Sequence, residues 1–382
     1  MGEQSLSERT WRVPLADVPV GDDLVEDVLG VVRSGWWSMG PRVEEFEQAF
    51  AEFTGASHAI AVANGTAALH LALLGAGCGP EDEVVVPSLN FVAAANAIVH
   101  TGAAPVFCDI AGPDDLNLDP ADVEAALSER TRAILVLHYG GHPCDMDAVL
   151  ELAERRGLVV IEDAAHAPGA TFRGRACGTL GAIGCFSFFS NKNLPVGEGG
   201  IIVTNDDELA AQLRLLRSHG MTTLTWDRHR GHASSYDVVL PGFNYRLDEI
   251  RAVVGLAQLR RLPEENAARA EVVARYRDRL HGTRGLTMPF APVEGLKPSH
   301  HLAVVVLPEC AERDAIRSSL EELGIQTSVH YPPIHGFTAY HGSRRALPGT
   351  DALAERLLTL PLYGGLADEQ VEAVIEGLLQ TL

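Results

Sequence analysis

From about residue 57 to 205 the chain repeats one pattern: a short apolar run rich in Val and Ile, then a stretch with apolar positions at helical spacing. The runs are EVVVPS, PVFCDI, AILVLHY, LVVIEDAA, GAIGCFSF and GIIVTND, and between most of them lie AALHLALLGAG, DPADVEAALS and DMDAVLELAERRG. Runs apolar at nearly every position, rather than every second one, are strands buried on both faces. Such strands alternating with helices predict an α/β domain, its largely parallel sheet covered by helices on both sides. Upstream, residues 1 to about 40 read as an arm and a short helix, DDLVEDVLGVVRSG. Downstream, LDEIRAVVGLAQLRRLPEENAARAEVVARYRDRLHG reads as long helix broken near Pro263. It leads into a smaller α+β layer containing HLAVVVLP, ERDAIRSSLEELG and QTSVHYPP. The expected division is a large domain over 1–255, arm included, and a small C-terminal domain over 256–382.

Composition narrows the function. A chain of 382 residues exceeds what one core usually holds, which agrees with two domains. A formal charge of −21 speaks against nucleic-acid binding, so an anionic ligand must be met by local cations and backbone amides. No apolar run approaches the ~20 residues of a membrane span, and the N-terminal stretch has no apolar signal region. The six cysteines are scattered and form no C-x-x-C pair, so free buried thiols, no metal site and a cytoplasmic location are expected.

In a parallel α/β sheet, ligands bind at the carboxyl ends of the strands. The candidates there are Pro87 to Phe91, His138, Asp163 to His166 and Ser187 to Lys192. Lys192 is a single lysine in the tight connection between two apolar runs, SFFSNKNLPVGEGGIIVTND. Burial there disfavours the ammonium form, and a neutral amine attacks an aldehyde; the plain alternative is a loop lysine reaching water. Asp163 ends the LVVIED run, where a carboxylate can hold the ring nitrogen of pyridoxal phosphate protonated; it can also simply cap a helix. His166 is either a partner for that ring's hydroxyl or a satisfied core histidine. Asn64, Gly65 and Thr66 open an apolar helix whose free amides suit a phosphate, without any P-loop or G-x-G-x-x-G motif. Ser187 can add a hydroxyl to the same phosphate. Phe91 can stack on a flat ring or belong to the core.

The segments SGWWSMGPRVEEFE, ANGTAALHLAL, VVVPSLNFVAAANAI, PVFCDI, LHYGGHPCDMDAV, VIEDAAHAPGA, SFFSNKNLPVGEGGIIVTND, RSHGM, GFNYRLDEI and HYPPIH occur in one order. That order resembles the DegT/StrS family of pyridoxal-phosphate-dependent sugar aminotransferases, from about Trp36 to Leu366. The resemblance implies the aspartate-aminotransferase fold (fold type I). It implies that Lys192 forms the Schiff base and shuttles the proton, that Asp163 pairs with the ring nitrogen, and that His166 meets the ring hydroxyl. Phe91 would stack on the ring, while Gly65, Thr66, Ala67 and Ser187 would cradle the phosphate. Asn244 would reach the phosphate of the neighbouring subunit, making an active homodimer with shared sites. Trp36, Trp37, His330 and Tyr331 fall in segments near the substrate mouth, where each is a substrate contact or a packing residue, and Arg246, close to Asn244, would be an anion ligand on the substrate side.

The implied reaction is ping-pong: L-glutamate or L-glutamine gives up its amino group, and a nucleotide-linked keto-sugar receives it. Histidine at position 166 leans toward C4 of a dTDP-4-keto-6-deoxyhexose, in antibiotic or glycan aminosugar synthesis. Two other readings remain: a C3 keto-sugar or a cyclitol such as scyllo-inosose as acceptor, or a regulatory protein that keeps the fold without turnover.

Overall fold

The computed structural model describes residues 11–18, 20–223, 226, 235–341 and 345–382. The first ten residues, read above as the start of an arm, lie outside these. The central sheet has seven strands: β1 His58–Val62, β2 Glu83–Pro87, β3 Ala104–Cys108, β4 Thr131–Leu137, β5 Val159–Asp163, β6 Ile183–Ser187 and β7 Gly200–Thr204. Their order is β1-β7-β6-β5-β4-β2-β3. All neighbours are parallel except β7, which runs antiparallel to both β1 and β6.

Side chains alternate between the two faces along each strand. Val85, Ile134, Val160 and Phe186 join one core with Phe46 and Phe50 from the helix Pro41–Thr54. Val84, Val86, Leu135, Ile161 and Cys185 join the other with Leu71 and Ile98 from the helices Gly65–Gly75 and Ala93–Thr101. Every residue of β2 and β7 is buried, which is why those runs show no alternation of polarity.

The helix Glu249–Leu280 is continuous through Pro263, contrary to the expected break. Its first half sits in the sheet core through Leu256, Leu259 and Leu262, and its second half in the C-terminal core through Val272, Val273 and Tyr276. Packing on both sides outweighs the ~3 kcal/mol that an interior proline costs a helix. The helix thus passes from one core to the other between Leu262 and Val272. The C-terminal layer has two antiparallel strands, β8 Ala303–Val306 and β9 Leu357–Leu360, backed by the helices Arg313–Glu322 and Asp368–Thr381. Val13 belongs to this core and pairs with Ile325, so the start of the described chain lies on the small layer. The other face of β8, with Val304 and Val306, packs on Leu89 and Tyr139 of the large domain. Among the described residues no helix is long and apolar enough to cross a membrane. Five cysteines are buried as expected, whereas Cys310 is exposed.

Candidate active site

A cavity of about 450 Å³ opens at the carboxyl ends of β5 and β6, bounded by the helix Gly65–Gly75 and by Tyr331 from the C-terminal layer. It holds most of the predicted site. Gly65, Thr66, Phe91, Asp163, His166, Ser187, Lys192, His330 and Tyr331 all line it.

Strand parity decides which carboxylate faces the cavity. Asp163 follows the side of Ile161, together with Cys185 across the strand pair. Glu162 points the other way, fully buried. It accepts the amides of Gly178, Leu180 and Gly181 and contacts His138 Nε2 at 2.8 Å. His138, a candidate from its place at a strand end, is therefore part of a structural network and not of the site. Asp163 accepts the Ala165 amide at 3.1 Å. Burial pushes its carboxyl pKa up, and the same amide, Lys192 and His138 restrain the rise.

Lys192 sits on the connection between β6 and β7, which turns back so that the Lys192 amide donates to the Phe189 carbonyl. Burial lowers the Lys192 pKa to about 8, with Asp163 opposing the shift. About a tenth of the amine is thus neutral at pH 7 and about half at pH 8, far more than for an ordinary lysine, which suits a nucleophile and proton carrier. His166 is neutral too: burial and then Lys192 hold its pKa well below the usual histidine range. Its Nδ1 accepts the Gly140 amide at 3.3 Å, so its hydrogen is on Nε2, 2.8 Å from the Tyr331 oxygen. His166 therefore presents a hydrogen-bond donor to the cavity.

The turn before the helix Gly65–Gly75 is built by close approach. A Cβ on Gly65 would lie 2.7 Å from the Ser187 Cβ, and one on Gly200 would lie 2.6 Å from the Asn64 carbonyl. Glycine at both places lets β7 and Ser187 press against the helix start. Asn64 caps the helix by accepting the Ala67 amide at 2.8 Å. The Ala67 amide is thus already engaged, and the first-turn amides of Gly65 and Thr66 are the better phosphate donors. Phe91 is exposed at the rim, its ring centroid 5.8 Å from that of Tyr331.

Of the predicted outer residues, His330 and Tyr331 line the cavity and the others fall elsewhere. Trp37 is 55% exposed and off the cavity, its indole donating to the Val32 carbonyl. Trp36 also lies off the cavity, its ring tilted against that of Trp226 with centroids 4.7 Å apart. Arg246 pairs with the end of β1, and Asn244 is exposed on the same loop; neither lines the cavity of its own chain. Sequence reasoning gave Asn90 and Asn191, which lie inside its strand-end stretches, no role of their own, and it missed His301. Asn90 is 1% exposed, and its Nδ2 and the Asn191 Oδ1 are buried at the cavity without hydrogen-bond partners. Asn90 stands next to the flagged Phe91, and Asn191 next to Lys192. His301 Nε2 lies 3.5 Å from Lys192 Nζ, but it comes from a distant segment that carried no signal.

These groups fit pyridoxal phosphate: a lysine of lowered pKa, a buried carboxylate, a histidine donor, a helix start open to phosphate and an aromatic at the rim. Asn90 and Asn191 leave polar atoms for a ligand to satisfy.

A family model described as the DegT/DnrJ/EryC1/StrS aminotransferase family matches residues 20–379. The chain is 44% identical over 361 residues to GDP-perosamine synthase of Caulobacter vibrioides, covering 93% of this chain and 94% of that protein. It is 40% identical over 380 residues to the spore coat polysaccharide biosynthesis protein SpsC of Bacillus subtilis, covering 97% of each. Among solved structures it matches S. venezuelae DesV with a TM-score of 0.90 and 38% identity, over 97% of this chain and 98% of that one. The putative sugar aminotransferase Spr1654 of Streptococcus pneumoniae, in its PLP-form, matches with a TM-score of 0.90 and 29% identity over the same shares.

Proposed function

The chain belongs to the DegT/DnrJ/EryC1/StrS aminotransferase family and is a pyridoxal-phosphate-dependent sugar aminotransferase; from that premise we propose that it aminates C4 of a nucleotide-linked 4-keto-6-deoxyhexose, dTDP-linked, with L-glutamate or L-glutamine as donor. The observation that carries the site assignment is the convergence of Lys192, Asp163 and His166 on one cavity, with the helix start at Gly65 on its wall. A cavity of about 450 Å³ lies within the usual range of ~300–1,000 Å³ for small-molecule sites.

Pyridoxal phosphate supplies the electron sink that makes loss of the donor's Cα proton possible. Lys192 would hold the cofactor and would carry the proton on Nζ. Its pKa of about 8 suits it both to take and to give that proton. Asp163 holds a proton on the ring nitrogen and balances its charge. The Nε2 hydrogen of His166, which faces the Tyr331 oxygen at 2.8 Å, would turn to the ring hydroxyl oxygen when the cofactor is bound. The amides of Gly65 and Thr66, with the Ser187 hydroxyl, meet the phosphate. Asn244 of a second copy completes the phosphate site, which makes the active unit a homodimer.

One relative, 44% identical, is named for a GDP-linked aminosugar, and this favours a GDP carrier as the second reading. A two-step absorption experiment separates the readings. L-glutamate should convert the bound cofactor to its aminated form. After donor removal, dTDP-4-keto-6-deoxyglucose should restore the original absorption and yield an aminosugar nucleotide. If only the GDP-linked keto-sugar restores it, the carrier is GDP. If neither does and scyllo-inosose does, the acceptor is a cyclitol and the nucleotide reading falls.

A further inference from the structure

His301 is 5% exposed, and its Nδ1 lies 3.0 Å from Asn193 Oδ1. Which end of Asn193 faces His301 is fixed by two backbone carbonyls. Asn193 Nδ2 donates to the Ser299 carbonyl at 2.8 Å, and a carbonyl only accepts. The same nitrogen donates to Asn266 Oδ1 at 2.8 Å, and Asn266 Nδ2 in turn donates to the Pro168 carbonyl at 2.9 Å. Both hydrogens of the Asn193 amide are therefore committed, and the oxygen left toward His301 is an acceptor. The imidazole must donate from Nδ1. In a neutral ring this leaves Nε2 bare, and Nε2 faces Lys192 Nζ at 3.5 Å.

We propose that His301 is a positioning residue, locked by Asn193 as the Nδ1–H tautomer, which holds the Lys192 amine by accepting a hydrogen bond from Nζ on its bare Nε2. One Nζ–H is then directed at His301, and the remaining hydrogen and the lone pair point away from it. Burial, followed by Lys192, His166, Arg269 and His330, keeps the His301 pKa well below the usual range, so the ring stays neutral. Around Lys192 the other titratable groups are Asp163, His166 and His330: Asp163 favours the ammonium, and Lys192 in turn disfavours the charged forms of the two histidines. The two histidines beside Lys192 are opposite tautomers. His166 offers a hydrogen to the cavity and His301 offers a lone pair, with ring centroids 4.5 Å apart.

The inference rests on Lys192 being the reactive lysine, and its test runs on the full chain freed of cofactor. Two-bond imidazole correlations on protein labelled with nitrogen-15 histidine read the tautomer directly, with His301→Gln identifying the resonance. The expected result is a neutral Nδ1–H ring at pH 7; an Nε2–H ring or an imidazolium would overturn the proposal. The Lys192 pKa, read from pH-dependent acetylation by mass spectrometry, supplies a second measure. His301→Met removes the acceptor and should lower it by about one unit, a tenfold change in the neutral-to-charged ratio. His301→Gln keeps an acceptor and should return most of the shift. A purely structural His301 would leave the two variants alike, and a donor at Nε2 would raise the pKa in the Met variant; either result sinks the idea. If Lys192→Ala retained transamination, the reading of Lys192 would fall whatever tautomer His301 shows.

Discussion

Glu162 and Asp163 are consecutive on one strand and face opposite sides of the sheet, one inside a closed hydrogen-bond network and the other toward the cavity. Glu162→Ala would leave three amides and His138 without their acceptor in a dry core. Losing one member of such a network costs about 3–5 kcal/mol. The expected outcome in a denaturant melt is a loss of that order, a large part of the ~5–15 kcal/mol typical of a domain. The site itself should suffer only through the lost stability.

Asp163→Asn should do the reverse. The amide keeps the shape but cannot balance a protonated ring nitrogen, so turnover should fall by about a hundredfold or more. In the cofactor-free chain the same change should stabilise. Burial raises the Asp163 pKa in the folded state, so the folded chain holds that proton to higher pH than the unfolded one. Stability is then lost as pH rises from the ordinary carboxylate range through the raised value, and asparagine removes that loss. Melts from pH 4 to 8 check it: a cofactor-free variant less stable than the parent at pH 7 would contradict the sign.

The parts of this site that were legible in the sequence lie at strand ends. Lys192, Asp163, His166 and Ser187 follow apolar runs whose buried character is plain, and the parallel sheet places such ends together. His301 was not legible because its partner Asn193 lies 108 residues away and is itself held by Asn266, and only packing joins them. The role of Glu162 needed the parity of β5, which an all-apolar run conceals. Pro263 misled because local preference argues for a break, whereas two separate cores hold the two halves of one helix. Trp37 looked like a mouth residue by position, but its own-chain surroundings place it at the surface.

A pKa of about 8 for Lys192 carries its own pH signature. The neutral fraction rises from about a tenth at pH 7 to about a half at pH 8, so covalent attachment of added cofactor should speed up about fivefold over that unit and level off above pH 9. In the cofactor-free chain, the folded lysine loses its proton before the unfolded one. Stability should therefore rise between about pH 8 and 10.5 and show no such slope below pH 8. Lys192→Met should abolish the slope. Lys192→Ala should eliminate attachment, seen as loss of a borohydride-stable adduct by mass spectrometry, together with transamination; a rate within tenfold of the parent would remove Lys192 from the mechanism.

The proposed shared-site homodimer turns on Asn244. Its loop is tied to the phosphate turn of its own chain, since the Ala63 amide donates to the Tyr245 carbonyl at 2.8 Å, while Asn244 itself is exposed and off the cavity. A residue placed beside a site yet outside it is suited to serve a second copy. In a mixed dimer of Lys192→Ala with Asn244→Ala, one site has Lys192 from one chain and Asn244 from the other, and the second site has neither. Random exchange makes half the dimers mixed, so about a quarter of all sites regain both residues. Activity of the exchanged mixture should approach about a quarter of the parent enzyme's, against the low sum of the two variants alone. Native mass spectrometry with one partner isotope-labelled confirms exchange. If exchange is complete and activity stays at that sum, Asn244 acts within its own chain or not at all.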